Sequence, residues 1–142
     1  MNRKITVLTV DDHELVRRGL KISLSTFEDI DHVGEAEDGR SAVLMCQQYQ
    51  PDVMLLDLIL TDGMNGLDVI ERVRQVSPNT AIVALTNFKE DDLVSGAIKA
   101  GAIGYLLKNV LIDDLAQAIR AAFRGDPILS PEAARVLMQR DK

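Results

Sequence analysis

The chain reads as an α/β protein, a doubly wound sheet of five parallel strands with helices on both faces. Three observations predict it. Strand-like apolar runs alternate along the 142 residues with segments of helical periodicity, the order expected of a parallel sheet. Two runs, Val53-Met54-Leu55-Leu56 and Ala81-Ile82-Val83-Ala84-Leu85, are apolar without interruption, as in strands buried on both faces. Four runs stop on a residue able to do chemistry: Val10 gives way to Asp11-Asp12, Leu56 to Asp57, Leu85 to Thr86 and Leu107 to Lys108. In an open parallel sheet the carboxyl ends of the strands face one crevice, and ligands bind there.

The elements follow in order. Ile5 to Val10 forms the first strand. Glu14 to Leu24 spaces Leu15, Val16, Leu20, Ile22 and Leu24 as a helix does,. Val33-Gly34-Glu35-Ala36 is a weaker second strand, and Asp38-Gly39-Arg40 turns into a helix from Ser41 with Val43, Leu44 and Cys46 expected inward. Pro51-Asp52 punctuates before the third strand,. A loop from Thr61 to Gly66 precedes Leu67, Ile70, Val73 and Val76 at helical spacing, and Ser77-Pro78 ends that helix,. After the fourth strand, a helix follows Glu90-Asp91-Asp92 with Leu93, Val94, Ala97 and Ile98, and stops at Gly101. Ile103 to Leu107 is the fifth strand. A fifth helix starts near Asp113-Asp114 and runs through Leu115, Ile119 and Phe123 to Gly125. Ser130-Pro131-Glu132 reads as an N-cap, a proline at the first helical position and a favourable acid. It predicts a short sixth helix, Glu132 to Gln139, which a five-stranded core does not need.

Composition narrows the function classes. Apolar residues make up 46%, but there are only two Tyr, three Phe and no Trp, so the core must be aliphatic. The net charge of −6 makes the chain by itself a poor ligand for nucleic acid,. A single cysteine, Cys46, excludes an internal disulfide and a multi-cysteine metal site, fits a reduced compartment, and is expected as a small core residue,. Met-Asn-Arg-Lys runs straight into a short strand, too short for a signal peptide or membrane span,. A cytoplasmic protein without membrane contact is expected. His13 before a helix and His32 in a turn-like stretch are read as solvated.

The strand-end residues define a chemistry. Converging carboxylates resist joint ionisation, and a hard cation removes that cost. Oxygen ligands without a His or Cys cluster select Mg²⁺ or Mn²⁺, and Mg²⁺ commonly shares its shell with a phosphate. Asp57, ending the most buried-looking strand, is the best nucleophile, able to form an aspartyl-phosphate. Asp11 and Asp12 are then metal or metal-water ligands, although an acid after a strand can also merely cap the next helix. Lys108 offers a point charge to one phosphoryl oxygen and Thr86 a hydroxyl to another.

With these residues in place, the chain resembles the receiver domain of two-component response regulators over about residues 4 to 125. The resemblance is carried by Val10-Asp11-Asp12-His13, by Asp57 after its apolar run, by Leu85-Thr86, and by Gly101-Ala102-Ile103-Gly104-Tyr105-Leu106-Leu107-Lys108. It implies a flavodoxin-like fold with sheet order 2-1-3-4-5. It implies a phosphoryl group taken by Asp57 from a sensor histidine kinase, with Ile59 lending a backbone carbonyl to the metal. Thr86 would move toward the phosphate and Tyr105 swing inward. Ile59, Asn87 and Phe88 would line the site mouth. Such a domain is a switch, not an enzyme acting on other molecules.

Asp12-His13-Glu14-Leu15-Val16-Arg17-Arg18-Gly19-Leu20 and Leu129-Ser130-Pro131-Glu132 look like the NarL/FixJ group, whose members carry a LuxR-type helix-turn-helix. On this reading residues 1–125 are the receiver. Residues 126–142 form a helical linker toward a DNA-binding domain absent from this sequence. A homodimer is a further expected partner, and DNA is reached only through the absent domain.

The loop after Asp57 departs from the family pattern. Thr61 stands where a proline is usual, and the loop to Gly66 is one residue longer. Asn109, in place of proline after Lys108, argues against a cis bond there,. The alternative function is a phosphorylation-independent, receiver-like interaction module. A haloacid-dehalogenase-type phosphatase would need an acid where Ile59 stands, and neither G-x-G-x-x-G nor G-x-x-x-x-G-K-[ST] occurs to hold a nucleotide,.

Overall fold

In the computed structural model, which describes residues 3–61, 63–86 and 91–129, strands and helices alternate as expected. The strands are β1 (Ile5–Val10), β2 (Ile30–Ala36), β3 (Val53–Asp57), β4 (Ala81–Thr86), β5 (Gly104–Leu107) and β6 (Ile128–Leu129). The helices are α1 (Glu14–Leu24), α2 (Gly39–Tyr49), α3 (Gly66–Val76), α4 (Asp91–Ala100) and α5 (Ile112–Phe123). The first five strands form the parallel sheet β2-β1-β3-β4-β5, and the two-residue β6 adds parallel to the outer edge of β5. That added strand was not expected. The expected sixth helix and the site-mouth residues Asn87 and Phe88 lie outside the described residues, as does the side chain of Val94.

The period-two alternation of side chains along a strand sorts the central apolar runs into two cores. Leu8, Val10, Met54, Leu56, Ile82, Ala84 and Tyr105 face one way, against Ala42, Val43 and Cys46 of α2, Val69, Ile70 and Val73 of α3, and Ala97 of α4. Ile5, Val7, Val53, Leu55, Val83, Leu85 and Leu106 face the other way, against Leu24 of α1 and Leu115 and Ile119 of α5. Each fully buried Leu or Ile contributes about 1.5–3 kcal/mol relative to exposure, so the uninterrupted runs hold the sheet from both sides.

Local chemistry sets the boundaries. Asp38 caps α2 by accepting from the Ser41 N–H at 2.8 Å, and Asn65 caps α3 by accepting from Asp68 N–H at 3.0 Å. At the opposite end of the sheet, Asp52 accepts a bidentate pair from Arg3 at 2.7 Å each, and also the Thr6 N–H at 2.9 Å. This ties the start of β1 to the start of β3. Cys46 is buried, its Sγ 3.7 Å from Met54 Sδ, and burial pushes its thiol up to about 12. It packs as a small apolar residue, as expected.

Two readings need correction. Leu44, expected inward, is 59% exposed; the helix turns Ala42, Val43 and Cys46 to the core instead. His32 is not in a turn. β2 begins at Ile30, and His32 lies half-buried within it, its Nε2 2.9 Å from Thr9 Oγ1. The pairing of β1 with β2 shifts between Val7 and Leu8, which breaks the alternation that would have marked Asp31-His32 as strand. Among the described residues no peptide bond is cis, and no helix is long and apolar enough to cross a membrane.

Candidate functional site

The strand ends deliver the side chains to one face. Asp11 follows β1 and is still tied to the sheet, its N–H donating to Ala36 O at 3.1 Å. Asp57 is the last residue of β3, the central strand, and the next N–H, of Leu58, donates to Leu85 O at 3.3 Å. Thr86 ends β4, one step past Leu85, the residue paired with Asp57. Lys108 follows β5, with its N–H donating to Thr86 O at 2.7 Å.

From there Lys108 reaches across the end of β4. Its Nζ donates to Asp11 Oδ2 at 2.7 Å and to Asp57 Oδ2 at 3.0 Å. Asp11 and Asp57 are only 3% and 4% exposed. Asp57 Oδ1 accepts the Ile59 N–H at 3.0 Å, and Asp11 Oδ1 accepts the His13 N–H at 2.8 Å. Burial pushes the Asp57 carboxyl above its ordinary range; the Ile59 N–H and Lys108 offset this in part, while nearby Asp11 adds to it. Burial also pulls the Lys108 ammonium down, but its hydrogen bonds to Asp11 and Asp57 outweigh that and hold it above the usual lysine value. One ammonium thus serves two desolvated carboxylates.

Asp12 completes the cluster. It does not cap α1: the N-cap is His13, without a side-chain cap bond. Asp12 Oδ2 accepts the Thr61 hydroxyl at 2.9 Å. Its Oδ1 lies 3.0 Å from His13 Nδ1 yet outside hydrogen-bonding geometry, and it is a buried side-chain oxygen without a hydrogen-bond partner. Asp11, Asp12, His13 and Asp57 offer ligand atoms within 4.8 Å of one another. Carboxylate oxygens converging with one of them unsatisfied suit a hard divalent cation, so the residues present fit Mg²⁺.

Tyr105 is fully buried in the core beneath this face, paired through the sheet with Ala84, and Thr86 is also fully buried. Ile59 is exposed, with its N–H on Asp57 Oδ1. Sequence reasoning missed three residues. His13 is solvent-facing as expected, yet its Nδ1 lies 3.0 Å from an oxygen of each neighbouring acid. Arg17 bridges α1 to the end of β1 and to the edge strand β2, donating to Asp11 O at 2.6 Å and to Glu35 Oε1 at 3.1 Å. Thr61 was read only as a departure from proline, although a hydroxyl four residues past Asp57 was the signal available.

A family model described as the response regulator receiver domain matches residues 7–120. The chain belongs to this family. The receiver is 40% identical over 136 residues to the transcriptional regulatory protein LiaR of Bacillus subtilis (strain 168), covering 96% of this chain and 64% of LiaR. It therefore spans just under two thirds of that relative's length. Among solved structures, the signal receiver domain of NarL from Mycobacterium tuberculosis superposes with a TM-score of 0.82 at 33% identity, covering 87% of this chain and 98% of that one. A LuxR-family two-component response regulator from Aurantimonas sp. SI85-9A1 gives 0.89 at 28% identity, covering 98% and 99%. With these relatives, the receiver is of the NarL/LuxR type, and its sheet order is theirs.

Proposed function

We propose that the receiver accepts a phosphoryl group on Asp57 from a phosphohistidine of a sensor kinase. A carboxylate oxygen of Asp57 forms the new P–O bond while the P–N bond to the donor imidazole breaks and the imidazole leaves. The observation that carries this reading is Lys108 Nζ bridging Asp11 and Asp57 at 2.7 and 3.0 Å across three strand ends, beside the unsatisfied Asp12 Oδ1. Asp11, Asp12 and Asp57, with the Ile59 carbonyl, would hold Mg²⁺ or Mn²⁺. A cation bound there supplies charge neutralisation for the phosphoryl oxygens. Lys108 holds one phosphoryl oxygen and the Thr86 hydroxyl another, and burial around Asp57 limits water.

The receiver acts on no other molecule; it catalyses only its own phosphorylation and dephosphorylation. Thr86 drawn toward the phosphoryl group, with Tyr105 packed inward behind it, selects between two packings of the α4-β5-α5 surface. The burial of Tyr105 supports the inward arrangement as one of the two. The packing chosen then controls self-association or an output domain, in transcription regulation in a cytoplasmic setting. Residues 1–125 serve as the receiver, and residues 126–142, beginning with the segment that pairs as β6, connect to a DNA-binding domain.

The test is intact-mass analysis after incubation with acetyl phosphate. A gain of one phosphoryl group that requires Mg²⁺ and is lost in Asp57→Asn is expected. An adduct persisting in Asp57→Asn would sink the assignment. No adduct from acetyl phosphate or from a kinase donor would favour the phosphorylation-independent module.

A further inference from the structure

We propose that Thr61 is a positioning residue for the divalent cation, orienting Asp12 so that its unsatisfied oxygen faces the carboxylate cluster. The inference rests on the metal-binding reading above and concerns a residue outside the ligand set. The last torsion of an aspartate is broad, without sharp staggered wells, so an untethered Asp12 carboxylate can tilt its plane through a wide range. The Thr61 hydroxyl fixes that plane. It donates to Oδ2 at 2.9 Å and leaves Oδ1 buried without a hydrogen-bond partner, 3.0 Å from the His13 Nδ1 that lies equally close to Asp11 Oδ1, in a carboxylate that joins the cluster converging within 4.8 Å. A proline at this position could not make the bond.

Thr61 also sits in the same loop as Ile59, four residues past Asp57. One hydrogen bond therefore ties the acid pair after β1 to the segment that follows the phospho-acceptor. Partners that orient a metal ligand typically contribute about 10–100-fold to metal affinity. Thr61 is itself exposed, where water competes for the hydroxyl, so the low end of that range is expected.

The experiment is calorimetric titration of the full chain, stripped with chelator, with MgCl₂. Thr61→Val removes the hydroxyl but keeps the shape, and Thr61→Ser keeps the hydroxyl. Binding about tenfold weaker in Thr61→Val is expected, with Thr61→Ser near the parent and an unchanged melting temperature for the metal-free proteins. Parent-like affinity in Thr61→Val overturns the tether and leaves the metal site standing. Equal weakening in both variants overturns it too, because shape and not the hydroxyl would then be at work. A folded parent chain that takes up no Mg²⁺ overturns the metal reading and this inference with it.

Discussion

Lys108 balances two carboxylates that burial would otherwise leave uncompensated, and its removal should expose that cost directly. Breaking a buried pair by deleting one partner costs about 3–5 kcal/mol, so Lys108→Ala should be strongly destabilised in metal-free buffer at neutral pH. The pH dependence has a definite sign. The Asp57 carboxyl sits above its ordinary value in the fold. The native state thus holds that proton more tightly than the unfolded chain, and stability falls as pH rises through the window between the two values. Without Lys108 the folded value rises further and the window widens upward. Urea midpoints at about pH 4.5 and pH 7.5 should show a small deficit for the variant at the lower pH and a large one at the higher. A deficit equal at both would refute the coupling. At this scale the acids and the lysine were legible in the sequence because each terminates an apolar run, a local signal. The Thr61–Asp12 contact was not, since it joins positions 49 residues apart through a loop whose path no periodicity encodes.

At the scale of elements, the loop after β3 is pinned by how closely α3 approaches it. The Gly66 N–H donates to Leu58 O at 3.2 Å, and a Cβ on Gly66 would lie 2.6 Å from both Leu58 Cα and Leu58 O. Backbone on both sides cannot yield, so Gly66→Ala should cost about 1–3 kcal/mol and shift the segment that carries Ile59. Gly19, inside α1, meets nothing within 4 Å, and Gly19→Ala should stabilise by about 0.5–1 kcal/mol. Chemical denaturation of both variants checks the contrast; a harmless Gly66→Ala would mean that the loop is not held by this approach. The helices and the central strands were legible from their periodicity and from the turn residues between them. β2 was only half legible, because a register shift beside Val7 and Leu8 breaks the pattern. β6 was not legible at all: two residues are too few for any alternation to show. Leu44 was misassigned because α2 carries apolar residues at Val43, Leu44, Met45 and Cys46 in succession, which spacing alone cannot sort into inside and outside.

At the scale of the molecule, a cation that binds only the folded pocket must stabilise the whole chain by mass action. At a Mg²⁺ concentration one hundred times the dissociation constant the gain is about 2.7 kcal/mol. Melting with and without Mg²⁺ should show it, chelator should reverse it, and replacing Asp12 with Asn should diminish it; a melting temperature indifferent to the metal in the parent chain would contradict the site. The sheet order was legible only through the resemblance, since strand alternation gives parallel pairing but not which strand lies beside which. β6 has a mechanical consequence. After α5 the chain turns at Gly125, which adopts a left-handed φ of 85°, and Ile128–Leu129 run parallel to β5, opposite Gly104 and Tyr105. The polypeptide is thus clipped to the sheet's outer edge heading toward the end where Lys108 lies. A pull on residues beyond Leu129 would load two pairs of residues, one of them containing Tyr105, before it reached α5. The clip is a short leash: force or motion entering from that side meets the aromatic's strand first, and slack gained by unpairing it amounts to roughly 7 Å of chain.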